Sequence, residues 1–212
     1  MIKYWQANSI QMMQLTRQHA YMVLTSLIIA LVLALVIIGI FLRKKNWLNG
    51  LVYFFSLLYS VPSYAFFALL IPITGLGETT AIIVLTFYSE YILLRSFITG
   101  IKEIDSNYLE VAKGLGMKEK EIFFKVQLPL AVPAIFSGMQ VALASTMAMA
   151  TIASTVNAGG LGDLLFEGLQ TSKIVPILWG TILTVALTIV FIVMLKLIEN
   201  IVISDGLIKK RG

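Results

Sequence analysis

The feature that most constrains this chain is the charge-free apolar run from Ala20 to Leu42, which Arg43, Lys44 and Lys45 end abruptly. At about 1.5 Å per residue, a helix of this length crosses the roughly 30 Å hydrocarbon layer of a bilayer. The chain is 58% hydrophobic and 13% charged, whereas a soluble domain has about 25% charged residues. The sequence therefore predicts a membrane protein, and it argues against a soluble enzyme, a nucleic-acid-binding domain and a disordered chain.

Four more segments are apolar enough to cross a bilayer, so we expect an all-α membrane protein with about five transmembrane helices. Pro62 lies inside the second of these spans, where its missing backbone donor predicts a bend. Pro72, Gly75 and Gly77 are expected to form the turn that follows. The four spans are predicted at residues 48–70, 79–97, 132–153 and 176–195.

The distribution of basic residues predicts the orientation. Thirteen of the 16 Lys and Arg residues fall on one side of the predicted spans and three on the other, and basic residues collect on the cytoplasmic side. We therefore expect residues 1–18 to be an external segment, 19–200 to be the transmembrane domain with a cytoplasmic loop at about 100–130, and 201–212 to be a cytoplasmic basic tail.

The chain is poorly supplied with catalytic residues. It has no cysteine and a single histidine, His19, so a thiolate nucleophile and a multi-histidine metal site are both excluded. An intramembrane serine hydrolase would need a Gly-x-Ser-x-Gly elbow, which is absent, and an aspartyl pair fails because Asp105, Asp163 and Asp205 lie outside the spans. We expect a non-enzymatic chain that binds no metal and no cofactor, with His19 at the outer surface.

The 100–130 loop is the one substantial polar segment. The stretch Asn107-Tyr108-Leu109-Glu110 has the form of a capping box and predicts a helix start. Leu109, Ala112, Leu115 and Gly116 recur at helical spacing, which predicts a narrow face of small and apolar side chains.

Gly114 and Gly116 should end this helix, and a second helix is expected over residues 118–125, ending before Pro129. On the residues alone, two interpretations stay open. The loop could lie on lipid headgroups as an amphipathic element, or it could present its narrow face to a groove on another protein.

The spacing within this loop resembles a known signature. Glu110-Val111-Ala112, three residues, Gly116, nine residues and then Val126-Gln127-Leu128-Pro129 is similar to the signature of the inner-membrane subunits of ABC importers. The stretches 60–65, 74–77 and 157–163 resemble permeases of the osmoprotectant group, which import glycine betaine, choline, carnitine and related quaternary ammonium compounds. Permeases for methionine or another small amino-acid-like solute are the alternative, and a non-transporting membrane scaffold is an alternative of a different class.

The resemblance implies a type I importer permease fold and a set of partners. Two permease subunits, either two copies or a pair of paralogues, would form the pathway. Separate ABC ATPase subunits would use ATP-Mg, because this chain has no phosphate-binding loop. An extracellular solute-binding protein would deliver the substrate.

The resemblance also implies roles for single residues. Leu109 and Ala112 would pack in a cleft of the ATPase, Gly116 would permit the bend, and Glu110 would cap the helix or pair with a cationic group of the ATPase. Leu128 and Pro129 complete the coupling signature.

Inside the spans, Glu90 is an acidic residue where charge is expensive. It is expected either on the pathway of a cationic solute or paired with Arg95 or with the second subunit. Asn157, Gly159 and Gly160 follow span four and are expected to form a gate or a plain turn. Span four itself carries small residues every three or four positions, which predicts close helix packing; these residues are Gly138, Ala142, Ser145 and Ala148.

Overall fold

The computed structural model describes residues 1–41 and 44–203, and Arg43 and the basic residues 209–211 of the predicted tail lie outside this part. The described chain is helical and contains no strand. A π-helical turn, Phe123–Gln127, precedes α7, and a 3-10 turn, Ile152–Val156, follows it. The helices are α1 Ile2–Phe41, α2 Lys45–Ser60, α3 Ser63–Thr74, α4 Glu78–Lys102, α5 Ser106–Gly114, α6 Glu119–Ile122, α7 Leu128–Ala150, α8 Gly162–Gln170 and α9 Ile174–Val202.

Within the described residues, the helices long and apolar enough to cross a membrane are α1, α4, α6 with α7, and α9. The bent pair α2–α3 is also long and apolar enough when its two helices are taken as one span, which gives up to five. The prediction of about five spans is therefore confirmed. The predicted connection between spans four and five contains a helix of its own, α8.

The first span is the end of a much longer helix. Helix α1 begins at Ile2, so the segment that precedes the predicted span is helical and continuous with it. Met12 and Leu15 on this segment are buried against Leu161 and Leu164. The first 18 residues are therefore packed onto the helical bundle.

The second span is broken at Val61 and Pro62, where the axes of α2 and α3 differ by 100°. The bend predicted from Pro62 is confirmed and is sharper than a kink, because proline forces the preceding residue into an extended conformation; Val61 has φ −67° and ψ 131°. The hydroxyl of Tyr88 donates a hydrogen bond to the carbonyl of Val61. The break therefore leaves this carbonyl satisfied inside the bundle, as a membrane interior requires.

The turn after α3 differs slightly from the prediction. Pro72 lies in the last turn of α3, and the chain turns at Gly75 and Gly77, which have φ of 80° and 114°. Such positive φ values favour glycine. The N–H of Gly77 donates to the carbonyl of Val156 at 2.8 Å, which joins this turn to the segment after α7.

Helix α4 lies at the centre of the bundle, in contact with α1, α2, α3 and α7. Its contact with α7 depends on glycines: a Cβ at Gly138 would lie 2.3 Å from the Cβ of Ser96, and a Cβ at Gly100 would lie 2.5 Å from the Cβ of Ala134. Close packing of span four is therefore confirmed. The small residues of this span do not share one buried face, however, because Ala148 is exposed.

Candidate functional site

The predicted coupling loop folds as α5, a bend and α6. The cap of α5 is Asp105, whose carboxylate accepts a hydrogen bond from the N–H of Asn107 at 2.9 Å. The predicted capping box of Asn107 and Glu110 is wrong, because the N-cap is Asp105, two residues before Asn107. An Asp at the N-cap accepts a hydrogen bond from a free N–H of the first turn. Glu110 is exposed on the helix.

The predicted bend is confirmed at Gly116, which has φ of 77°. The N–H groups of Gly116 and Met117 donate to the carbonyls of Lys113 and Ala112, at 2.9 and 3.1 Å. A glycine in the left-handed conformation ends a helix in this way, since it has no Cβ to strain.

The sequence suggested that the second helix ends before Pro129, but this prediction is wrong. Helix α6 continues through the π-helical turn Phe123–Gln127 into α7, with Pro129 in the first turn of α7. The N–H of Leu128 bonds the carbonyl of Phe123 five residues back, and this wider turn accommodates the proline next to it, which has no N–H to donate. The loop is therefore joined rigidly to the central helix pair.

The six predicted coupling residues are exposed to different degrees. Glu110 and Gly116 are exposed, Leu109, Leu128 and Pro129 are partly buried, and Ala112 is 3% exposed. Ala112 supports α5 from inside the chain, so its side chain is not offered to a partner in this conformation.

A second set of side chains, which shares only Leu115 with the predicted face, forms the apolar exposed face of this region. Tyr108, Val111 and Leu115 are 41%, 64% and 76% exposed and recur at i, i+3 and i+7. We call these three residues the α5 outer face. The sequence contained this signal, because two apolar stripes one residue apart run along α5, but spacing alone does not say which stripe is buried.

Glu90 is wholly buried on α4, and neither of its carboxylate oxygens has a hydrogen-bond partner among the described residues. The predicted pair with Arg95 is wrong. Arg95 is exposed and donates to the hydroxyl of Tyr91 at 2.8 Å, because five residues turn a helix by about 140°. The next turn of α4, at Leu93 and Leu94, packs with Ala30 of α1. An unpaired acid in such surroundings is costly and marks a functional candidate.

The glycine-rich segment after α7 packs tightly on α1. Gly159 and Gly160 have φ of 75° and 88°, and the N–H of Gly160 donates to the Oε1 of Gln18 at 3.2 Å. A Cβ at Gly159 would lie 2.6 Å from the same oxygen. Asn157 also has a positive φ, 62°, and is exposed. A gating role for Asn157, Gly159 and Gly160 stays a prediction.

His19 lies beneath this segment. The sequence suggested the outer surface, but the side chain is wholly buried. Its Nε2 lies 3.2 Å from the carbonyl of Met147 and donates to it. The end of α7 and the glycine-rich segment cover the histidine. The sequence could not indicate this burial, because both of these segments lie far from His19 along the chain.

A small polar cavity of about 360 Å³ opens beside the glycine-rich segment. Asp163, in the first turn of α8, is half-buried there, and burial raises the pKa of its carboxyl. The described residues contain no group of three or more His, Cys, Asp or Glu side chains that could hold a metal ion. The polar side chains lining the cavity are Gln11, Gln14, Gln18, Asn157 and Asp163.

Residues 26–204 match the family model described as "binding-protein-dependent transport system inner membrane component". The chain is also 32% identical over 207 residues to the glycine betaine/carnitine/choline transport system permease protein OpuCB of Bacillus subtilis, covering 98% of this chain and 95% of that protein. It is 31% identical over 206 residues to the choline transport system permease protein OpuBB of the same organism, covering 97% and 95%. These matches confirm the resemblance to osmoprotectant permeases.

The fold matches a solved structure. A chain from inward-facing conformations of the MetNI methionine ABC transporter aligns with a TM-score of 0.74, covering 91% of this chain and 98% of that chain. The sequence identity is 20%, so the likeness concerns the fold. The predicted importer permease fold is confirmed.

Proposed function

The chain belongs to the family of binding-protein-dependent transport system inner membrane components, and we propose that it is the permease subunit of an ATP-driven importer for a small quaternary ammonium osmoprotectant. The observation that carries the substrate class is the nearly full-length match to permeases named for glycine betaine, carnitine and choline. Methionine is the second candidate, supported by the shared fold with a methionine transporter.

The energy for transport comes from a separate ABC ATPase that uses ATP-Mg, since the sequence has no phosphate-binding loop. The α5 outer face suits a cleft on that ATPase, because Val111 and Leu115 expose apolar surface that docking would remove from water. Glu110 lies beside this face and offers a carboxylate to a cationic group of the partner. Movement of α5 would reach the membrane through the continuous α6–α7 helix.

The asymmetry of basic residues supports the orientation: α5 and α6 face the cytoplasm, residues 1–18 lie outside, and the C-terminus is cytoplasmic. The polar cavity beside Asn157, Gly159 and Asp163 then opens on the outer side. It is placed to receive a solute from a separate extracellular binding protein.

A second permease subunit completes the pathway. Ser137, Val141, Ala144 and Ala148 are exposed on α7 at i, i+4, i+7 and i+11, which forms a stripe of mostly small side chains along the central helix. Small residues let two helices approach closely in a membrane. We expect the second copy, or a paralogue, to pack against this stripe or to face it across the pathway. Glu90 would act on a cationic solute when the helices around it separate.

Co-purification and uptake test this function together. The tagged chain, extracted from its native membrane in mild detergent, should bring down an ABC ATPase that mass spectrometry identifies. Proteoliposomes containing the complex and its binding protein should accumulate radiolabelled glycine betaine, choline or carnitine only when ATP is supplied to the ATPase. Uptake of methionine alone would establish the second candidate, and a chain that repeatedly purifies without an ATPase and supports no uptake would favour the scaffold.

Substitution of Glu110 tests the coupling role. Glu110→Lys should leave membrane insertion intact and abolish uptake, because it reverses the charge next to the α5 outer face. Undiminished uptake by this variant would overturn the assignment of α5 as the coupling element.

A further inference from the structure

A cavity of about 980 Å³ lies between the α5–α6 region and the ends of α1, α2 and α4. Its volume is at the upper end of the range for small-molecule sites, about 300–1,000 Å³. Helix α4 passes from Ile98 to Lys102 along this cavity, so it straddles the boundary between apolar and polar surroundings. The apolar side chains that line it include Leu48, Ile98, Ile101, Leu109, Phe123 and Phe124.

Three lysines from three helices lie at the same cavity: Lys102 at the end of α4, Lys113 on α5 and Lys120 on α6. All three side chains are exposed, and none forms an ion pair with another described residue. Lys125 differs, because its Nζ pairs with Glu121 at 3.2 Å. Glu119 is the only acidic residue among those lining the cavity in the described part of the chain, so the cationic side chains there outnumber it.

The cavity therefore has an apolar interior and a cationic edge at the membrane boundary. An anionic phospholipid has the complementary structure, with an acyl chain for the interior and a phosphate for the lysines. Basic pockets between transmembrane helices hold lipid headgroups in this way. We propose that this cavity is a binding site for one anionic phospholipid, whose headgroup phosphate bridges Lys102, Lys113 and Lys120.

Charge complementarity favours an anionic lipid over the chain's own C-terminal tail as the occupant of this cavity. Residues 204–212 contain Lys209, Lys210 and Arg211 against one acid, Asp205, so the tail would meet the lysines with charge of the same sign. A zwitterionic lipid would fill the apolar interior equally well but would leave the three lysines without a net counter-charge.

The site has a mechanical consequence. Ala112 and Ile122 are the buried residues of α5 and α6, and residues of α4, α5 and α6 all line the cavity. A lipid phosphate that holds one lysine from each helix would fasten α5 and α6 to α4. The lipid site does not depend on which solute the protein carries.

Photocrosslinking tests the site directly. The purified chain with its co-purifying partners is reconstituted into phosphatidylcholine vesicles that contain a small fraction of phosphatidylglycerol carrying a diazirine in its acyl chain. After illumination, peptide mass spectrometry should find crosslinks at Phe123, Phe124 or the Ile98–Ile101 stretch. The same diazirine on phosphatidylcholine should label these positions at least fivefold less, since each lysine near a lipid surface contributes about a fivefold preference for negative charge.

Two triple variants with the same net charge serve as a pair. In the variant Lys102→Gln with Lys113→Gln and Lys120→Gln, the ratio of crosslinking by phosphatidylglycerol to crosslinking by phosphatidylcholine should fall close to one. Lys44→Gln with Lys118→Gln and Lys125→Gln removes three charges from the same end of the bundle without touching the cavity, and it should keep the preference. Raising the salt concentration for the unmodified chain should weaken the preference without any substitution.

Equal labelling by the two lipids in the unmodified chain would overturn the proposal. So would a preference that survives loss of the three cavity lysines, or one that disappears equally in both triple variants, because each result would assign the effect to general surface charge.

Discussion

The Nδ1 of His19 accepts a hydrogen bond from the backbone N–H of Leu161 at 3.3 Å, across 142 positions of the chain. With Nε2 donating to the carbonyl of Met147, both ring nitrogens are satisfied, and the geometry requires the neutral imidazole with its proton on Nε2. One side chain thus joins α1, the end of α7 and the start of α8. Gly160, just before Leu161, makes room for it, because a Cβ there would lie 3.1 Å from Nδ1.

Replacement of His19 should destabilise the protein. His19→Ala leaves the buried N–H of Leu161 and the carbonyl of Met147 without their partner, and each orphaned group costs about 1–3 kcal/mol. We expect a clear fall in the midpoint of thermal unfolding of the detergent-solubilised protein. Arg17→Ala is the control, since Arg17 is exposed two residues earlier on the same helix. Equal midpoints for His19→Ala and the unmodified protein would show that the bridge is dispensable.

Enlargement of Gly138 should disturb the central helix pair. Gly138→Ala places a methyl group 2.3 Å from the Cβ of Ser96, and overpacking of this kind costs about 1–3 kcal/mol. Gly50→Ala is the matched control, because nothing lies within 4 Å of a Cβ at this exposed position on α2. The midpoint of unfolding of Gly50→Ala should be unchanged or slightly higher, because alanine favours a helix more than glycine does. The midpoints of thermal unfolding of both variants are compared with that of the unmodified protein. A Gly138→Ala protein as stable as the unmodified one would contradict the tight contact of α4 and α7.

Neutralisation of Glu90 should preserve the fold. Glu90→Gln removes the charge that the buried, unpartnered carboxyl can carry, so we expect the midpoint of unfolding to be unchanged or higher. Uptake by the reconstituted importer reports the function: a selective loss of transport in this stable variant is the result expected of a pathway carboxyl. Normal transport would assign Glu90 no role on the pathway, and a strong loss of stability would mean that its charged form has a partner in the assembled complex.

A charge on the α5 outer face should separate the permease from its ATPase. Val111→Glu places a carboxylate on a side chain that is 64% exposed and apolar, and burial of an unpaired charge is strongly unfavourable. We expect loss of ATPase co-purification with normal membrane insertion. Ser106→Glu adds the same charge about 140° away around α5, at an exposed position, and should keep the ATPase bound. Identical recovery of the ATPase with both variants would exclude this face as the contact.

The stability of the protein should depend on the carboxyl of Asp163. Burial raises the pKa of this group in the folded state, so the folded protein holds the proton more tightly than the unfolded chain does. The stabilisation is present at low pH and is lost as the pH rises through the folded-state pKa. The midpoint of unfolding of Asp163→Asn should therefore rise relative to that of the unmodified protein between acidic and neutral pH. A difference that stays constant with pH would argue that the group is solvated in the folded state.

Several features follow from the sequence because local composition decides them. The crossings of α1, α4, α7 and α9 follow from apolar runs whose lengths match the hydrocarbon layer. The break at Pro62 follows from a missing N–H, since no neighbouring residue can replace it.

The bend at Gly116 also follows from local composition. This residue, just beyond the end of α5, adopts a positive φ, and glycine tolerates this conformation without strain. The spacing around it was enough to suggest the family, since it depends only on residue types along the chain.

The tertiary structure decided which side of each helix is buried. Apolar stripes one residue apart run along α5, and only the packing of the loop turns Ala112 inward and leaves Val111 outward. Glu90 and Arg95 look like a pair along the chain, yet they point in different directions on a helix that contacts four others. The burial of His19 depends on Leu161, far along the chain. A bilayer selects crossings by local length and polarity, whereas the partner of a side chain depends on residues brought together only when the helices pack.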